Sequence, residues 1–148
     1  MKSFFARFVH LADGILPIGV ADAHCDIPCG IYHPHAALQA ADTVIKMTSL
    51  IKDLEETGSC DLTACHAMAR YVMIKEEHAK KAKDELLILW TDYFKPEHLA
   101  AHPGLHEKVW MACKLGSASK QNVDLAKAQE FQAAIEEISA IFHETKKK

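Results

Sequence analysis

The sequence has little of several things, and each shortage removes a class of protein. It has no basic excess: 17 Lys and Arg stand against 20 Asp and Glu, a net charge of −3 over 148 residues. No global positive field is present to hold a polyanion, so nucleic acid is not expected as a partner. No apolar run approaches the roughly 18 residues of a membrane-spanning helix, so no membrane span is expected. Six Gly and five Pro are few, and they cluster near the N-terminus, leaving long stretches without breakers. Five Cys are too few for a disulfide-built domain and odd in number, so at least one thiol is left over.

What is present is mostly helical periodicity. Ala37, Leu38, Ala41, Val44, Ile45, Thr48 and Ile51 recur at three- and four-residue steps between Pro34 and Gly58, which suit a helix start and stop. From Leu62 to Phe94 no Gly or Pro intervenes. A seam there runs through Cys65, Ala69, Val72, Glu76, Ala79, Lys83, Leu86, Trp90 and Tyr93, predicting one long helix or two in line. Leu105, Val109 and Ala112 predict a third helix ending near Gly116. Ala128, Phe131, Ile135, Ile138 and Phe142 share one face of a fourth, whose negative end is complemented by Lys146 to Lys148. Strand alternation is absent over any useful length. The expected fold is all-α, an antiparallel up-down four-helix bundle.

Residues 1–23 read differently. Lys2 and Arg7 precede an apolar stretch from Gly14 to Ala21, and Ala21-Asp22-Ala23 has the small-x-small form of a cleavage site. We read 1–23 as a removable leader, which requires a processing protease, and 24–148 as the mature domain. Arg7, His10 and Asp13 make the leader a poor secretory signal. The expected location is therefore cytoplasmic, with export as the alternative if Ala21-Asp22-Ala23 is a signal-peptide site.

Immediately after it comes His24-Cys25-Asp26-Ile27-Pro28-Cys29-Gly30. Cys25 and Cys29, with a proline before the second and a glycine after it, can fold back on one point as a metal hook; a small-loop disulfide or two incidental thiols are the other readings of that spacing. Cleavage before His24 adds a ligand, because a free α-amine, with a pKa of about 7.7–8.0, binds metal once deprotonated. The amine of His24, the backbone nitrogen of Cys25 and the sulfurs of Cys25 and Cys29 would form an N₂S₂ set. Planar coordination of that kind suits nickel or copper. The imidazole of His24 could supply a fifth, axial bond. A non-catalytic bundle with a structural zinc site of Cys25, Cys29, His33 and His35 is the alternative, and it needs no cleavage.

The segment His-Cys-Asp-Ile-Pro-Cys-Gly-Ile-Tyr, residues 24–32, closely resembles the metal hook of the nickel superoxide dismutase family. The resemblance continues in Trp90-Thr91-Asp92-Tyr93-Phe94-Lys95-Pro96 and in Ile141-Phe142-His143-Glu144-Thr145-Lys146-Lys147. It implies removal of the leader before His24, a four-helix bundle assembled as a homohexamer, one nickel ion per chain, and disproportionation of superoxide to dioxygen and hydrogen peroxide. His24, Cys25 and Cys29 match the metal ligands. Tyr32 matches a tyrosine near the open face of the metal, Tyr93 a second one behind it, and Lys95 a lysine able to attract the anion. Asp26, Pro28 and Gly30 would order the loop around the sulfurs. The acid and arginine that steady the axial imidazole in many members are replaced by Ala40 and His78, so His78 is a candidate substitute. His98, His102 and His106 read as solvated surface, and Cys60, Cys65 and Cys113 as small buried or half-buried helix residues.

Overall fold

A computed structural model of the chain describes residues 27–147. Among them every regular element is helical: α1 (His35–Glu56), α2 (Leu62–Ile88) continuing into a π turn (Leu89–Tyr93), the short α3 (Pro96–Ala101), α4 (Leu105–Gln121) and α5 (Leu125–Lys146). The proposed leader, His24, Cys25 and Asp26 lie outside the described residues. The long helices close a ring in which α1 packs on α2 and α5, and α4 on α2 and α5. With short connections between successive helices, this is the up-down-up-down bundle.

Local chemistry sets the helix ends. The Asp61 side chain accepts from the Ala64 N–H at 2.7 Å and opens α2, and Asp124 accepts from the Lys127 N–H at 3.1 Å and opens α5. Those same contacts hold the Asp124 carboxyl below its usual value, chiefly through the Lys127 amide. At the other end of α2 the Phe94 N–H reaches back to the Leu89 carbonyl, the wide step of a π turn. Pro96 then starts α3, a short helix that the sequence pattern did not announce.

The core is uneven. Tyr32, Leu86, Leu89, Phe94, Leu105, Phe131, Ile135, Ile138 and Phe142 belong to one large cluster, whereas Val44, Ala79 and Ala128 form a small one. Each large apolar side chain buried in the first contributes about 1.5–3 kcal/mol relative to exposure.

Two expectations for the helices are corrected. The buried side of α2 runs through Ala64, Lys75, Ala79, Ala82 and Leu86, so Cys65 and Ala69 are exposed, and Cys60, expected in a helix and at least half-buried, is exposed in the turn before it. The end of α4 meets α2 through Lys75, ten residues after Cys65, and α2 as a whole packs most extensively on α1. Lys75 itself is 2% exposed, and its ammonium donates to the carbonyls of Ser119, Lys120 and Asn122 at 2.8–2.9 Å. It closes the last turn of α4, whose carbonyls have no helical partners. Burial pushes the Lys75 pKa down.

α4, in turn, continues past Gly116 to Gln121. A Cβ at Gly116 would lie 2.8 Å from Phe131 Cζ and 2.9 Å from Lys83 Cγ. This glycine admits the neighbouring helices and does not stop its own.

Candidate metal centre

The site begins with a tight turn. The Ile31 N–H donates to the Pro28 carbonyl at 3.4 Å, and Gly30 has φ 97°. A positive φ at the third turn position is the geometry of a type II turn, which favours glycine there. The turn leaves Cys29 exposed at its corner. Beyond it the chain enters α1, where His33 Nδ1 accepts from the His35 N–H at 3.0 Å.

Cys29 and Gly30 share the wall of a pocket of about 290 Å³ with Tyr32, Tyr93, Lys95 and Lys146. Three separated stretches meet here: the turn before α1, the π turn after α2, and the end of α5. Tyr32 is 4% exposed, and its ring lies 5.8 Å from that of Tyr93. Tyr93 packs in turn on Phe142 at 4.4 Å and stacks on His98 at 5.6 Å, with planes 27° apart. The Tyr93 hydroxyl is 2.7 Å from Thr145 Oγ1, which donates its own hydrogen to the Phe142 carbonyl at 2.7 Å. Tyr93 is therefore the donor in that pair.

Lys146 Nζ donates to the Tyr32 carbonyl at 2.9 Å and lies 4.7 Å over the Phe142 ring. It ties α5 to the residue that follows the turn. Lys95, exposed at the start of α3, faces the same pocket. Lys95 and Lys146 stand against the one carboxylate of Asp92 in this wall, a net positive balance that favours a small anion despite the chain's net negative charge.

The structure thus gathers Cys29, Gly30, Tyr32, Tyr93 and Lys95, and adds residues that the sequence reading passed over. Lys146, expected only to complement the helix dipole, lies one turn beyond Phe142 on the same side of α5, exposed but with its ammonium over that ring. His98, expected in solvent, is half-buried against Tyr93. His78 is elsewhere within this chain: it lies about four helical turns, roughly 20 Å, before Tyr93 on α2 and does not line the pocket. Its Nδ1 is buried and has no hydrogen-bond partner among the described residues.

Among the described residues no group of three or more His, Cys, Asp or Glu could hold a metal. Cys29 does not share such a cluster with His33 and His35, the partners the zinc reading needs. The pKa of His33 is lowered, first by burial and then by the nearby charges of His143, Lys146 and His35. An exposed thiol on a tight turn fits a hook completed by the donors just upstream, since thiolates suit nickel or copper better than hard oxygen-seeking cations.

Comparison with known proteins agrees. The family model "nickel-containing superoxide dismutase" matches residues 19–146. The "Superoxide dismutase [Ni]" of Streptomyces seoulensis is 41% identical over 125 residues, covering 84% of this chain and 89% of that protein. Its counterpart from Streptomyces coelicolor is 39% identical over 133 residues, 88% of this chain and 94% of that one. A crystal structure of nickel-containing superoxide dismutase, with nickel ligation corresponding to the oxidised state, superposes with TM-score 0.72 at 40% identity, covering 84% of this chain and 100% of that one. The native 1.30 Å structure of nickel superoxide dismutase gives 0.71 at 38% identity, covering 83% and 99%. The zinc reading is not favoured, and this chain belongs to the nickel-containing superoxide dismutase family.

Proposed function

We propose that this superoxide dismutase works through an N-terminal hook created by cleavage before His24. The residues that would hold the nickel are His24, through its amine and its imidazole, Cys25, through its backbone nitrogen and sulfur, and Cys29, through its sulfur. The observation that carries this reading is the position of Cys29. It stands in the wall of a pocket lined by Tyr32 and Tyr93 and flanked by Lys95 and Lys146, just downstream of His24-Cys25.

Nickel, when bound, supplies a one-electron couple between Ni(II) and Ni(III). The chain's own residues do the rest. Thiolate and amidate are strong donors and bring that couple into a usable range, and Asp26 with the backbone around Pro28 and Gly30 tunes the sulfurs through hydrogen bonds. Lys95 and Lys146 attract superoxide. Tyr32 and Tyr93 narrow the approach to the hook, so that only a small anion or water reaches it. Two superoxide ions and two protons yield one dioxygen and one hydrogen peroxide, and solvent at the mouth of the pocket supplies the protons. A homohexamer with one nickel per chain, a leader-removing protease and a cytoplasmic location complete the proposal.

Substitutions at the hook test it. His24→Ala should retain part of the nickel and lose most of the activity, because amine and thiolates survive while the imidazole does not. Cys25→Ser or Cys29→Ser should lose metal and activity together. Metal content and superoxide consumption are the readouts, and normal turnover by either serine variant contradicts the N₂S₂ assignment.

A further inference from the structure

At the end of the bundle away from the hook, two thiols that the mechanism does not use sit across one helix start. Cys60 directly precedes the cap residue Asp61, and Cys65 lies in the first turn of α2. Side chains at these two positions, one before the cap and one a turn inside the helix, are the pair that meets in a hydrophobic staple. Both cysteines are exposed and neither is in a disulfide. Their present partners are weak: Cys65 Sγ is 3.9 Å from the Cys60 carbonyl, and Cys60 Sγ is 3.8 Å from the Gly58 carbonyl. The Cys65 thiol already reaches back to the backbone of Cys60. Turning Cys60 toward it disturbs no buried contact, because residues 55–63 are exposed.

We propose that Cys60 and Cys65 form a reversible disulfide across the first turn of α2 when the protein meets hydrogen peroxide. One thiolate attacks a peroxide oxygen, giving a sulfenic acid and hydroxide, which takes up the proton the thiol had lost and leaves as water. The second thiol then attacks the oxidised sulfur, the S–S bond forms, and a second water departs. Overall one peroxide is reduced to two waters and two thiols are oxidised to one disulfide. The proposal rests on the superoxide dismutase reading only for its source of oxidant, since peroxide is the product of that reaction.

Cys113 is a poor competitor: it is half-buried, and burial pushes its thiol pKa up. The cross-link would tie the α1–α2 turn to α2 on the wall of an apolar pocket of about 740 Å³, lined also by Ile51, Leu54, Met68 and Val123. The α1–α2 hairpin would thereby be fixed where it extends past α4.

The test uses the nickel-loaded full chain, reduced with a phosphine, desalted, exposed to added hydrogen peroxide, blocked with iodoacetamide and digested with trypsin. Cleavage after Lys52 and Arg70 releases both thiols in the peptide 53–70, free of Cys113 and of the hook. The expected peptide is lighter by two hydrogens, takes up no iodoacetamide, and regains two alkylation sites on reduction. Two sites still open after peroxide, sulfinic or sulfonic acid on either sulfur, or a chain-to-chain link would overturn the proposal. In Cys60→Ser the lighter peptide should vanish while superoxide consumption stays unchanged. Because the peroxide is added, the peptide result is independent of whether the hook itself makes peroxide.

Discussion

The two ends of the bundle are built on different principles. At the hook end three separated stretches converge on aromatic packing, with Tyr32, Tyr93 and Phe142 in contact and Lys146 bound to the Tyr32 carbonyl. At the far end the apolar cluster is small, and a buried ammonium does the fastening: Lys75 gathers three carbonyls at the end of α4. One end fixes the turn at Pro28–Ile31 through packed rings. The other holds two helices together through charge and hydrogen bonds, and leaves α1 and the start of α2 projecting beyond α4.

Substitutions that strike one end should spare the other's property. Lys75→Met keeps the bulk of the side chain and removes the ammonium, leaving three carbonyls without their donor. A loss of about 2–4 kcal/mol in unfolding free energy is expected, with activity per folded, nickel-loaded chain unchanged. Chemical denaturation beside a superoxide assay checks both halves. Gly116→Ala should follow, at about 1–3 kcal/mol for forced overpacking, since the new Cβ meets the fully buried Phe131 ring. The roughly 1 kcal/mol that alanine gains over glycine within a helix offsets part of that cost, leaving a net loss of up to about 2 kcal/mol. A more stable variant would mean that the α4–α5 contact is looser than described.

Asp61→Ala removes the α2 cap and should cost about 1 kcal/mol, again without touching turnover. The converse case is Lys146→Met. Losing the bond to the Tyr32 carbonyl should cost about 1 kcal/mol of stability, less than Lys75→Met, whereas kcat/KM should fall by roughly tenfold, the low end of electrostatic steering effects, and become less sensitive to ionic strength. A salt dependence equal to that of the unaltered enzyme would remove Lys146 from the steering role.

The hook end was the more legible in the sequence. Pro28, Cys29 and Gly30 announce a turn by residue type, and the observed hydrogen bond from Ile31 to Pro28 follows that chemistry. α1 and α5 were also readable, because Val44, Phe131, Ile135 and Phe142 repeat at helical spacing and the helices have partners along their length. The start of α2 was not. Its periodicity continues past the point where α4 ends, so sequence spacing placed Cys65 inside and the structure puts it in solvent. Lys75 was hidden for a related reason: a lysine in an amphipathic pattern reads as surface until the helix end it caps is located. Tyr32 and Tyr93 are 61 positions apart, and only the bundle's topology makes them neighbours.

The central claim is that cleavage before His24 makes the catalyst. Intact mass, metal content and superoxide consumption, measured together on protein from a host that processes the leader, test it most directly. The expected product is a chain beginning at His24, carrying one nickel, and active only in that form. An uncut chain that binds nickel and consumes superoxide at the same rate would contradict it.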